Sequence, residues 1–172
     1  MQSEELKNKF KGLVTNAQRG DPEAKSELIL LTEKKLFKFC ILLGHNRELA
    51  EDLCQETYIK AFRSLNLIKN NEAFLGWLYQ IAKNIFIDLK RSKKELSSEL
   101  TEERSSDSNI ETILHVQQVL AQFESEDRYL LLLIELEGLS YKEAADMIKS
   151  TEDAVRSKIH RLRHEFLKIL NK

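Results

Sequence analysis

An all-α fold of two small helical domains, joined by an acidic linker, is what this chain of 172 residues predicts. Three observations carry the expectation. Apolar residues recur at spacings of three and four over most of the length, the period of a helix with one buried face. Glycine occurs five times and proline once, so few residues break that pattern. One stretch rich in serine and glutamate separates two periodic regions and has too little apolar surface to offset the entropy of ordering it. The predicted division is an N-terminal helix bundle over residues 1–94, a flexible acidic linker over 95–109 and a C-terminal domain over 110–172.

The first residues read as a polar leader. Gly20-Asp21-Pro22 then starts a helix, because Asp21 can cap it and Pro22 can take the first helical position at no cost in hydrogen bonds. Leu28, Leu31, Leu36, Phe39, Cys40 and Leu43 form its apolar face, and Gly44 is the expected left-handed cap. A second helix runs from about Arg47 to Leu65 and buries Leu49, Ala50, Leu53, Thr57 and Ala61. The polar residues between Asn66 and Glu72 interrupt the pattern. A third helix follows from about Ala73 to Lys93, with Phe74, Trp77, Leu78, Ile81, Ala82, Ile85 and Leu89 as its core stripe. Three such helices can close a small bundle. Trp77 lies on the apolar stripe, which leaves Tyr79 as the expected exposed aromatic.

After the linker, apolar periodicity resumes at Ile110 and ends at Gly138. Ser140 to Glu143 has the form of a capping box, with Leu139 and Ala144 placed for the accompanying staple. The short helix it starts should end near Lys149. Thr151 can cap a longer helix that carries Val155, Ile159, Leu162, Phe166 and Ile169 on one face. A short helix, a tight turn and a long helix make a helix-turn-helix, whose second helix enters the DNA major groove. Away from its apolar face that helix carries Arg156, Ser157, Lys158, His160, Arg161, Arg163 and His164, donors for phosphates and base edges. Glu152 and Asp153 suit the positive end of the helix dipole but would repel phosphate.

Composition limits what else the chain can do. The formal net charge of −1 means that nucleic-acid affinity must come from local basic faces. Cys40 and Cys54 fall within helical patterns and read as packed, reduced thiols, not as a metal-ligand pair. No nucleophile–base constellation, phosphate loop or ligand spacing points to an enzyme, a cofactor or a metal. The start MQSEELKNKFKG lacks the apolar core of a signal peptide, and no run approaches the roughly 18 apolar residues of a membrane span. A cytoplasmic protein without membrane insertion is expected.

Four segments then narrow the reading: Glu48 to Arg63 (ELAEDLCQETYIKAFR), Phe74 to Arg91 (FLGWLYQIAKNIFIDLKR), Glu137 to Ala145 (EGLSYKEAA) and Val155 to Arg161 (VRSKIHR). Together, in order and with the linker between them, they resemble the signatures of RNA polymerase sigma factors of the extracytoplasmic-function (ECF) group. Glu124, where a proline is common, and Lys149, where the turn commonly has glycine, depart from the pattern. The resemblance implies core RNA polymerase and promoter DNA as partners, an anti-sigma factor as a further one, and promoter-specific transcription initiation as the function.

It also implies roles for individual residues. Asp52, Gln55, Glu56, Ile59 and Arg63, opposite the core stripe of their helix, would bind the coiled-coil clamp of the largest polymerase subunit. Lys69, Asn70 and Asn71, with Gln80, Lys83, Asn84, Asp88 and Arg91 on the next helix, would read the minus-ten element as a melted strand. Arg156, Ser157, Lys158, His160 and Arg161 would read the minus-thirty-five element. The linker carboxylates, Glu95, Glu99, Glu102, Glu103, Asp107 and Glu111, would either occupy a basic polymerase channel or simply tether the two domains. A free-standing helix-turn-helix regulator with a sensing or dimerising bundle is the alternative, and it would bind duplex DNA tightly without polymerase. A helical adaptor or an enzyme using His45, His115 or the carboxylates is the third reading.

Overall fold

The computed structural model describes residues 2–95 and 108–171. Helices α1 (Gln2–Gln18), α2 (Pro22–Gly44), α3 (Arg47–Arg63) and α4 (Phe74–Glu95) make the first domain, with 3₁₀ turns at Leu65–Leu67 and Asn71–Ala73 between α3 and α4. Helices α5 (Ser108–Ala121), α6 (Ser125–Leu131), α7 (Tyr141–Ile148) and α8 (Glu152–Leu170) make the second, α6 running on into a π-helical turn at Leu132–Leu136. No strand occurs among the described residues. The linker carboxylates Glu99, Glu102, Glu103 and Asp107 lie outside them, as do the side chains of Lys93, Lys94, Glu95 and Glu111.

Most helix starts are written in the sequence. Asp21 accepts from the amides of Glu23 at 2.9 Å and Ala24 at 3.3 Å, with Pro22 behind it. Asn46 accepts from the Leu49 amide at 2.9 Å and opens α3. Ser140 and Glu143 complete both bonds of the capping box, and Thr151 accepts from the Ala154 amide at 3.2 Å. Ser140 N–H bonding holds the Glu143 carboxyl below its ordinary pKa. Lys149, in place of glycine, takes the left-handed conformation at φ 55° and ends α7, so the turn forms there without a glycine.

Several expectations need correction. The polar leader is a helix, α1, whose Phe10, Val14 and Ala17 are buried against the bundle. His45, at φ 61°, takes the left-handed cap expected of Gly44. Gly44 is the last helical residue, and a β-carbon there would come within 3.1 Å of Leu49 Cδ2. α3 ends at Arg63, two residues early, because the chain tightens into the 3₁₀ turn. Leu89 is 37% exposed, outside the core. Tyr79, expected outside, is buried: its ring stacks on Phe39 at 4.4 Å, and Phe39 meets the edge of Tyr129 from the second domain at 5.9 Å. Trp77 is half-buried.

The two domains therefore share a packed contact. Arg128 of α6, 3% exposed, donates to the carbonyls of Leu120, Ala121 and Phe123 in its own domain and to Leu43 at the end of α2. Burial pushes its pKa down to about 10, against the raising influence of Glu124. A guanidinium with no carboxylate bonded to it is here satisfied by carbonyls at helix ends. Around it, Gln117 reaches the Ile41 carbonyl at 3.5 Å and Gln80 the Met147 carbonyl at 3.3 Å. His45 lies in the same region. Burial and then the charges of Arg128 and Lys90 push its pKa down to about 4.

Candidate functional site

The outward face of α3 is built by the inward one. Ala50, Leu53, Thr57 and Ala61 are buried against neighbouring helices, which leaves Asp52, Gln55, Ile59 and Arg63 facing solvent and Glu56 half-buried. Ile59 is 43% exposed, an apolar residue amid polar ones. Arg47 and Glu51 pair at 3.1 Å near the helix start, but Asp52 and Glu56 have no ion pair among the described residues. Under this face the neighbouring Cys54 thiol and burial push the Cys40 thiol up. Both cysteines are free thiols, and no cluster of three or more metal-ligating side chains exists among the described residues.

Where α3 ends, a groove of about 430 Å³ opens between it and α4, lined by Lys60, Arg63, Ser64, Ile81, Asn84 and Ile85. Its aliphatic floor and its cationic rim with one amide side chain make a site suited to a planar polar group attached to an anion. Arg63 thus belongs to both the α3 face and this groove. Periodicity and motifs do not single out Lys60 and Ser64. The last turn of a helix that runs into a polar loop was the available sign, since its side chains point along the neighbouring groove.

Beside the groove runs the connection from α3 to α4. Leu65 and Ile68 anchor it inside, while Leu67, Lys69 and Asn70 are exposed, Leu67 by 75%. Asn70 accepts from the Glu72 amide at 3.1 Å, and Asn71 donates to Thr15 of α1 at 3.1 Å. On α4 the expected residues divide. Asn84, Asp88 and Arg91 are exposed, whereas Gln80 and Lys83 turn towards the second domain. Lys83 lies 5.1 Å from the centre of the Tyr129 ring and 3.7 Å from Glu126.

On α8, Val155, Ile159 and Leu162 are buried, which turns Arg156, Ser157, His160 and Arg161 outward. Arg156 bonds to Glu152 at 2.8 Å and Asp153 at 3.5 Å, and Lys158 pairs with Asp127 of α6. Arg163 bonds to Glu135 at 2.7 Å and to the Tyr141 hydroxyl at 3.2 Å. Arg161 has no ion pair among the described residues. The rings of His160 and His164 lie 4.6 Å apart, one helical turn from each other.

Comparison with known proteins accounts for both domains. Residues 28–95 match the family described as Sigma-70 region 2, and residues 113–165 match Sigma-70 region 4. The RNA polymerase sigma-H factor of Pseudomonas aeruginosa is 31% identical over 179 residues, covering 92% of each chain. The ECF RNA polymerase sigma factor SigW of Bacillus subtilis is 27% identical over 180 residues, covering 94% of this chain and 96% of its own. CnrH, solved in complex with the cytosolic domain of CnrY, shares the fold with a TM-score of 0.77 at 21% identity, over 95% of this chain and 97% of CnrH. No helix among the described residues is long and apolar enough to cross a membrane. The chain belongs to the RNA polymerase sigma factors of the ECF type, which bind core polymerase and direct transcription initiation at promoters by reading the minus-ten and minus-thirty-five elements.

Proposed function

We propose that three surfaces divide this work. The α3 face of Asp52, Gln55, Glu56, Ile59 and Arg63 docks on core polymerase, where its acids meet a basic helix and Ile59 supplies the apolar contact. The α3–α4 groove, with Asn84, Lys69, Asn70, Asn71, Asp88 and Arg91 around it, holds the minus-ten element as an unpaired strand. Arg156, Ser157, Lys158, His160 and Arg161 of α8 read the minus-thirty-five element in the duplex.

The observation that carries the reading is the groove itself. An unstacked base needs an apolar seat, a partner for its edge and a cation for its phosphate, and Ile81 with Ile85, Asn84 and Lys60 with Arg63 are of those three kinds. Unstacking costs a few kcal/mol, which binding in the groove offsets. Gln80 and Lys83 join the strand once the second domain moves off them. The chain acts by binding, without a reaction, cofactor or metal of its own, and works in the cytoplasm where its polymerase is. The division into 1–94, 95–109 and 110–172 belongs to the same reading. The CnrH structure was solved with the cytosolic domain of CnrY, and an anti-sigma protein is proposed to hold this chain in the same manner.

Purified chain mixed with core polymerase and a pool of promoters tests the reading. Co-purification and promoter-dependent transcripts are expected, with the minus-ten preference relaxed in Asn84→Ala while polymerase binding remains. A chain that neither binds polymerase nor starts transcripts would overturn it, and tight polymerase-independent binding to duplex DNA would favour a free-standing regulator.

A further inference from the structure

Helix α1, which precedes the matched segment 28–95, grips the loop between α3 and α4 at both ends. Gln18 Nε2 donates to the Leu65 carbonyl at 3.1 Å, where the loop begins. At its end, Asn71 Nδ2 donates to Thr15 Oγ1 at 3.1 Å, and the Lys11 ammonium lies 3.3 Å from the Glu72 carboxylate. Thr15 gives its own proton to the Lys11 carbonyl at 2.7 Å, which aims a lone pair at Asn71. Phe10, Val14 and Ala17 fix α1 in the core, and Phe10 packs at 6.0 Å against Phe74, the first residue of α4. Between the two grips the loop turns outward and presents Leu67, Lys69 and Asn70.

A polar connection of this length has many conformations of its own, and ordering it at the moment of binding would weaken selection. Two part-buried side-chain bonds to one rigid helix remove that freedom beforehand. We propose that Thr15 and Gln18 are positioning residues for promoter recognition: they hold the loop from Leu65 to Ala73 in its reading conformation and touch no DNA themselves. The inference rests on the assignment of that loop to the minus-ten site.

The test uses the full chain with core polymerase and a promoter library randomised at the minus-ten element, with base preferences read by sequencing the transcripts. Gln18→Ala or Thr15→Val should lower discrimination at minus-ten positions about fivefold, the factor carried by one ordinary hydrogen bond. Polymerase binding and the upstream preference should stay unchanged, and Thr15→Ser, which keeps the hydroxyl, should restore the profile. Hydrogen–deuterium exchange should quicken over residues 65–73 in Gln18→Ala while the core of α2 and α3 stays protected. A Lys69→Ala/Asn70→Ala variant separates the two layers. If it alters minus-ten preference while Gln18→Ala and Thr15→Val do not, the positioning role is overturned and the loop assignment stands. If it alters nothing, the loop assignment fails and the inference with it.

Discussion

Asp52 and Glu56 of α3 and Arg156, Lys158 and Arg163 of α8 are held in opposite states. On α3, Asp52 and Glu56 lack an internal cation among the described residues and are free for a partner's. On α8, Arg156, Lys158 and Arg163 are each paired with a carboxylate of their own domain, Arg156 lying also over the Tyr141 ring. The contrast fits the proposed roles of the two faces in a chain of net charge −1. In the proposed division of work polymerase brings the chain to the promoter, so α8 needs no standing positive field. Exposed ion pairs are worth only about 0–1 kcal/mol, so they can be exchanged for phosphates at little cost.

The contrast can be broken most severely where the two regions meet. Arg128→Ala removes the guanidinium donors from the carbonyls of Leu43, Ala121 and Phe123, and from Leu120, which keeps the Phe123 amide, and should cost about 2–4 kcal/mol of stability, measured by urea unfolding. A loss below about 1 kcal/mol would mean that the shared contact does not hold the domains. Next in size, Asp52→Lys should weaken binding to core polymerase by about 1–3 kcal/mol in a competition assay, with the thermal midpoint unchanged. On α8 the pairing predicts an order. Arg161→Ala should cost about 1–3 kcal/mol of discrimination at the upstream element, and Arg156→Ala less, because its guanidinium is already shared with Glu152 and Asp153. Equal effects would show that the internal pairs do not matter.

The smallest effect is in pH. Folding lowers the pKa of His45 from 6.5 to about 4, so between those values the unfolded chain binds the extra proton. His45 therefore contributes stability that is complete above pH 6.5 and is lost as pH falls towards 4. His45→Asn, which suits the left-handed backbone and does not titrate there, should flatten that part of the stability curve in thermal melts from pH 7 to 4.

Periodicity points to α2, α3, α4, α7 and α8, each with one apolar face, and the capping residues Asp21, Ser140 and Thr151 mark the starts of α2, α7 and α8. α1 was less legible. Its Leu6, Phe10, Leu13, Val14 and Ala17 keep the helical spacing, but lysine, glutamate and asparagine between them read as leader. Tyr79 escapes a helix wheel, which sees one partner surface, because this ring is buried on Phe39, itself covered by Tyr129 of the other domain. Arg128 gave no sign at all. A buried guanidinium that serves only main-chain carbonyls depends on where three helix ends meet, which local sequence does not encode. For the candidate site, the faces of α3 and α8 followed from their core stripes, whereas the groove with Lys60 and Ser64 required the crossing of α3 and α4.

That two separate surfaces of one chain read two separate promoter elements is tested most directly by transcription with core polymerase from a library randomised at both elements. Asn84→Ala and Arg161→Ala are compared with the unaltered chain. The expected result is a split: Asn84→Ala relaxes preference only at the minus-ten element and Arg161→Ala only at the minus-thirty-five element. Two variants that relax the same element, or that both leave the preferences intact, would contradict the account.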